Sequence, residues 1–276
     1  MIWVDGESSA HLPLPDRGFA FGDGLFETLL QCRGRYLFLN DHLERLQQGL
    51  VRLGFSDLSG LFSELEVQLK LPLQAVPDDV CALRLSISRG VGLRGYAPPQ
   101  VPPRIVLQLD RLARDPFKPS TPVKLSLSPV HWSQQPLLAG LKHLNRLEQI
   151  LAAQRCEKGF DEALMLDAQG RVISVIAGNI FARHDDRLLT PSLARCGVAG
   201  TRRRAIIERW APAIGLVVEE VDIAFDDLLS AEELLICNAL TGPRAVAELA
   251  GRCWQQYPLT EQLQAQYYKD CSGDLC

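Results

Sequence analysis

Lys142, in Gly140-Leu-Lys-His-Leu-Asn-Arg-Leu-Glu-Gln149, is the residue from which chemistry is most easily built. A lysine that is desolvated, or set near another cation, spends part of its time neutral. It can then attack a carbonyl or take a proton from carbon. The commoner fate of a lysine is a solvated surface. Arg45 is a planar, permanently charged fork suited to a phosphate, yet it lies off the apolar stripe of its own helix and periodicity alone makes it solvated. The stretch Gly197-Val-Ala199-Gly200-Thr201 runs straight into a helical segment. Its first N–H groups would favour an anion, or the stretch is a plain turn. Arg202-Arg203-Arg204 reads as a solvated helix face rather than an anion patch. Arg94 and Tyr96 sit in the glycine-rich Ser88-Arg-Gly-Val-Gly-Leu-Arg-Gly-Tyr96, which also reads as an exposed hairpin tip. Thr28 is a β-branched residue in a strand, which is common in itself.

The elements that must position these residues follow from hydrophobic periodicity. Strands are predicted over 1–4, 27–32, 36–39, 81–88, 105–109, 123–127, 162–166, 172–176, 180–182, 216–221 and 234–237. Cys81-Ala-Leu-Arg-Leu-Ser-Ile-Ser88 alternates strictly and is the plainest of them. A helix follows Asn40-Asp41, with Asp41 and Glu44 as a capping pair and Leu43, Leu46, Leu50 and Leu53 at helical spacing. Further helices are predicted over 58–69, 145–157 and 201–210 and from Thr260 onward. Residues 111–122, basic and carrying three prolines, are the expected linker. They divide an N-terminal α/β domain, 1–110, from a C-terminal domain, 123–276. The second half mixes short strands with few helices, which excludes a regular βαβ series, and no GxGxxG follows a strand.

A net charge of −4 removes any general electrostatic reason to expect nucleic acid. No apolar run approaches the roughly 18 residues of a membrane span. Met1-Ile-Trp-Val-Asp-Gly lacks the features of a signal peptide. The eight cysteines are scattered without a CxxC pair, so no zinc site is expected and a reducing cytoplasm is.

The lysine segment resembles that of the fold-type IV pyridoxal 5′-phosphate (PLP) enzymes, a family that includes branched-chain and D-amino acid aminotransferases and 4-amino-4-deoxychorismate lyases. Its form, Leu-Lys-His-Leu-Asn-Arg-Leu-Glu-Gln, is most similar to that of the lyases. Five other segments agree in order: Asp16-Arg17-Gly18 with Phe21-Gly-Asp-Gly-Leu-Phe-Glu-Thr28, His42-Leu-Glu-Arg-Leu46, the Ser88–Tyr96 stretch, 197–201, and Cys237-Asn-Ala-Leu240. Together they reach from residue 1 to about 245.

The resemblance implies an α/β (α+β) fold with a small N-terminal domain and a larger C-terminal domain whose short strands form a pseudo-barrel. It implies PLP on Lys142, with Arg45, Ala199, Gly200, Thr201, Asn238, Ala239 and Leu240 around its phosphate, the last three largely through backbone N–H groups. Arg94 and Tyr96 would hold a substrate carboxylate, in a loop that reaches the neighbouring subunit of a homodimer with shared active sites. Thr28 would relay a proton to a departing group. The activity implied is conversion of 4-amino-4-deoxychorismate to 4-aminobenzoate and pyruvate, a folate-precursor step. The alternatives are an aminotransferase of the same fold and a PLP-binding paralogue without turnover. One departure bears on that choice. Where most of the family place a glutamate against the pyridine nitrogen, the alignment puts Val175, with Ser174 beside it as a partial substitute. The loss weakens the electron sink and counts against transamination.

Overall fold

The computed structural model describes residues 1–9, 11–92, 94–113 and 115–273. Leu93 of the 88–96 loop, Arg114 of the expected linker and Cys276 of the tail lie outside them. The chain forms two units. The first holds Met1–Pro116 and, unanticipated, Lys142–Asn145; the second holds Phe117–Leu141 and Arg146–Ser272.

The first unit is a six-stranded, wholly antiparallel sheet ordered β2-β1-β6-β5-β3-β4. Its strands are β1 (Ile2–Val4), β2 (Glu7–Ser8), β3 (Gly24–Cys32), β4 (Arg35–Leu37), β5 (Cys81–Ser88) and β6 (Arg104–Arg111). The helices are α1 (Arg17–Phe21), α2 (Leu39–Arg52), α3 (Leu58–Gln68) and α4 (Lys70–Ala75). Alternation in β5 buries Leu83, Leu85 and Ile87, and Leu46 and Leu50 of α2 are buried as the stripe requires. Each such side chain stabilises the fold by about 1.5–3 kcal/mol relative to exposure. The start of α2 differs from expectation. The helix begins at Leu39, capped by Phe38 in the left-handed region (φ 58°) with no side-chain cap. Asp41 is therefore inside the first turn and does not form the capping pair with Glu44.

The second unit contains a nine-stranded mixed sheet. Its strands are β7 (Val123–Leu127), β8 (Glu162–Leu166), β9 (Val172–Val175), β10 (Asn179–His184), β11 (Arg187–Pro191), β12 (Val217–Val221), β13 (Glu233–Asn238), β14 (Gly242–Leu249) and β15 (Arg252–Cys253). They run in the order β12-β11-β10-β13-β14-β7-β8-β9, with β15 on β14. The sheet curls: Val175 at the end of β9 bridges to Gly178, just ahead of β10. Its core gathers Val123, Leu125, Leu164, Ile180, Leu234 and Val246. The helices are α5 (Leu147–Gln154), α6 (Thr201–Ala205), α7 (Ala211–Ala213), α8 (Phe225–Ser230) and α9 (Pro258–Gly273). A π-helical turn, Ile206–Trp210, joins α6 to α7.

Candidate active site

In the first unit the lysine segment behaves as an added strand. The Phe26 N–H donates to the Lys142 carbonyl at 2.9 Å, the Leu144 N–H to Gly24 at 3.0 Å, and His143 is bridged to Leu25. This close approach needs glycine at position 24, where a Cβ would lie 2.2 Å from the Ile87 carbonyl and 2.9 Å from Leu144. Asn145 closes the run by donating to the Gly22 carbonyl at 3.1 Å. Backbone pairing thus places Lys142, whose Nζ sits 4.3 Å from the centre of the Phe26 ring. The Arg84 guanidinium lies 4.0 Å from the same ring centre. Thr28, two residues along β3, shares the face of Phe26 and is paired in register with Arg84. It is half-buried.

Glu27 projects from the opposite face of β3, where it accepts from α2. The Arg45 Nε donates to its Oε1 at 2.8 Å, Arg45 Nη2 is tied to Oε2, and His42 Nδ1 lies 2.7 Å from Oε2. Burial of Glu27 works to raise its pKa. The Arg45 and His42 charges and their hydrogen bonds outweigh burial and hold the carboxyl at about 2. Arg45 is accordingly not a solvated residue: its side chain is 12% exposed. The predicted stripe missed this because a helix face can bury ions when a carboxylate waits on the sheet beneath it.

A second ionic cluster organises the 88–96 loop. The Arg17 Nε donates to Asp23 at 2.9 Å, and its two terminal nitrogens donate to the Gly95 and Tyr96 carbonyls at 2.9 and 3.2 Å. Arg89 donates to the same Asp23 carboxylate and to the carbonyls of Leu53 and Gly54. Arg17 and Arg89 are buried. What they hold is exposed: Arg94 lies in solvent, and Tyr96 is 89% exposed, edge-on to Phe21 at 5.8 Å. Arg17 and Asp23 belong to the sequence signature quoted above, but nothing in their spacing announced a clasp on a loop some 75 residues away.

In the second unit the expected anion-side residues are held by turns. Gly140 and Val198 are bridged. The Gly140 N–H donates to the Gly197 carbonyl and the Ala199 N–H to the Gly140 carbonyl, both at 3.0 Å. Gly200 is the N-cap of α6 and has no side chain to cap the first N–H groups. A Cβ there would lie 2.1 Å from Asn179 Oδ1, and Asn179 is itself pinned through Nδ2 to the Val198 carbonyl at 2.9 Å. Thr201 is buried. In the other turn, Asn238 Oδ1 accepts the Leu240 and Thr241 N–H groups at 3.0 and 2.9 Å. The Ala199 and Leu240 N–H groups are thus engaged within the protein, the first by Gly140 and the second by the Asn238 side chain of its own turn. The solvated arginine face is also corrected. Arg202 and Arg203 are buried; Arg203 donates to the Pro191 carbonyl and to Glu220, and Arg202 reaches the Ala239 carbonyl at 3.5 Å.

Val175 packs among the core residues of this unit, 1% exposed. Its position is a core position of the sheet. Ser174 turns the other way and accepts from Trp132 Nε1 at 2.9 Å.

Residues 24–249 match the family model for Amino-transferase class IV. The chain belongs to the class IV aminotransferase family. Among class IV relatives, it is 34% identical to an aminodeoxychorismate lyase from Vibrio harveyi, over 91% of this chain and 92% of that protein. A crystal structure of 4-amino-4-deoxychorismate lyase from Pseudomonas aeruginosa superposes with a TM-score of 0.88 at 40% identity, covering 98% of this chain and 99% of that one. A branched-chain aminotransferase from the archaeon Thermoproteus uzoniensis superposes nearly as well, with a TM-score of 0.85. Its identity is only 20%, over 99% of this chain and 95% of that one. The class IV fold is therefore common to lyase and aminotransferase, and fold alone does not separate them.

Proposed function

We propose that this chain is a PLP-dependent lyase that converts 4-amino-4-deoxychorismate to 4-aminobenzoate and pyruvate. The observation that carries the reading is Lys142 fixed by backbone pairing over Phe26, with a hydroxyl, Thr28, on the same face of β3. The residue types fit the cofactor: an amine at Lys142 and a guanidinium at Arg45 held by Glu27; by the resemblance, the helix start at Gly200–Thr201, where a Cβ has no room, would meet its phosphate. Ala199 and Leu240 would support the phosphate side by closing the turns, with Asn238 and Ala239 beside them.

When bound, PLP supplies an aldehyde that links to amines and a conjugated ring that draws electrons from the neighbouring carbon. Lys142 Nζ would hold the cofactor at rest and, once released from it, would take the ring-carbon proton of the substrate. Thr28 Oγ1 would relay that proton to the departing oxygen as the carbon–oxygen bond breaks, and the enolpyruvate released would tautomerise to pyruvate. The new aromatic ring supplies the driving force, so the step does not need the strongest electron sink. Strand β9 brings Val175 to the core and Ser174 to Trp132, and neither is a carboxylate, which favours the lyase over an aminotransferase. Arg94 and Tyr96 would take the substrate carboxylate in the active site of a second copy. Support for that homodimer comes from the exposure of Tyr96 together with Phe19, Phe21 and Val91 nearby on the same unit. Among the described residues no helix is long and apolar enough to cross a membrane. Among the described residues no cysteine is in a disulfide, and a cytoplasmic location is proposed from the scattered thiols of the sequence.

The test is incubation of purified holoprotein with 4-amino-4-deoxychorismate. The expected product is 4-aminobenzoate, borohydride reduction is expected to leave the pyridoxyl label on Lys142, and Lys142→Ala should lower turnover by about four orders of magnitude. Conversion of the cofactor to its pyridoxamine form by an amino acid, without 4-aminobenzoate, would make the chain an aminotransferase. An absence of turnover with every amine would make it a non-catalytic PLP-binding protein.

A further inference from the structure

We infer that Glu27 and His42 are positioning residues for the cofactor phosphate and act through Arg45. This rests on the reading that Arg45 binds that phosphate. An arginine side chain has four rotatable torsions and in water samples many orientations. Here its guanidinium plane is set by a side-on fork: Nε and Nη2 on the two oxygens of one carboxylate. That carboxylate is fixed in turn. Glu27 extends from the middle of β3, a strand in register with β5 over eight residue pairs, and is 1% exposed. Its Oε2 is shared with His42 Nδ1, from a fully buried ring one helical turn ahead of Arg45 on α2. Strand and helix are thus tied through one acid. On the reading that Arg45 meets the phosphate, the plane that Glu27 fixes is the plane in which the guanidinium presents itself to that oxyanion.

A neutral amide at position 27 keeps shape and volume but offers a donor nitrogen where Arg45 needs an acceptor. It releases the guanidinium without emptying the core. The consequence should be specific to phosphate, because on this reading Glu27 and His42 act on a cofactor only through Arg45.

The experiment resolves the holoenzyme to apoprotein and titrates it with PLP and, separately, with pyridoxal, which lacks the phosphate. It compares wild type, Arg45→Ala, Glu27→Gln and the double variant. Glu27→Gln should weaken PLP binding by about tenfold or more, the loss expected when a hydrogen bond to a charged group is broken, and should leave pyridoxal binding within about twofold. In the Arg45→Ala background the same substitution should add nothing to the loss. Equal weakening of PLP and pyridoxal, or full additivity with Arg45→Ala, overturns the inference and makes Glu27 ordinary scaffolding. Should Arg45→Ala itself leave the PLP-to-pyridoxal preference unchanged, the reading of Arg45 fails, and the inference with it. If Glu27→Gln does not fold, His42→Asn reports instead. It loosens one oxygen of the acid, and an unchanged PLP-to-pyridoxal preference in that variant rejects the positioning role.

Discussion

The two units place their site residues by different means. In the first, Lys142 aside, which backbone pairing on β3 places, charged side chains are held by other charged side chains: Asp23 between Arg17 and Arg89, and Glu27 between His42 and Arg45. In the second, backbone is held by backbone and by asparagine. Gly140 is stitched to the 197–199 turn, and Asn238 closes its own. An ion pair taken out of water is costly to half-remove, since the survivor stays desolvated and uncompensated. A tight turn is indifferent to charge but intolerant of a new carbon. The ionic clusters of the first unit should therefore break on losing a charge and the turns of the second on gaining a methyl group.

The largest effect should come from Asp23→Ala, which strands two buried guanidinium groups on one deletion. A loss of about 4 kcal/mol in unfolding free energy is expected, read by denaturant titration, together with loss of order at Gly95 and Tyr96, whose carbonyls Arg17 holds. An effect below about 1 kcal/mol would mean that the cluster behaves as a surface pair and that the comparison is wrong. Next comes pH. Folding lowers the Glu27 pKa from 4.5 to about 2. A depressed acid contributes stability above its unfolded value and loses it as pH falls through the folded one. The advantage of wild type over Glu27→Gln should thus be full above pH 4.5, about 3 kcal/mol, and should vanish as pH approaches 2. A difference that does not shrink across that window would place the stabilisation elsewhere. The smallest effect belongs to the turn. Gly200→Ala forces a carbon against Asn179, which cannot swing away without losing Val198, and should cost about 2 kcal/mol with no dependence on pH. A pH-dependent loss there would blur the distinction between the units.

Much of the frame was legible along the chain. The strands 81–88 and 123–127 end where alternation says they do, and the short strand 162–166 has its predicted bounds. α3 differs by one residue. Other elements were hidden for physical reasons. β14 opens with Gly242-Pro243, a poor strand start, and exists because β13 and β7 pair with it from either side. β11 gains its place from β10 and, in parallel, from β12. The helix predicted over 145–157 shortens to Leu147–Gln154 because Lys142–Asn145 is drawn out as an edge strand on β3.

The same division runs through the candidate site. Residue order determined the family, the lysine, and the short segments that accompany it, because an amine, a cationic fork and glycine-bearing turns are chemical types that appear in the chain itself. Tertiary structure decided their surroundings: that Arg45 leans on Glu27, that Val175 belongs to a core, that Arg202 and Arg203 are buried, and that Arg17 grips a distant loop. Each of these is a contact between residues far apart in the chain or across a pleat. Local periodicity carries no information about such contacts until the strands have chosen their neighbours and register.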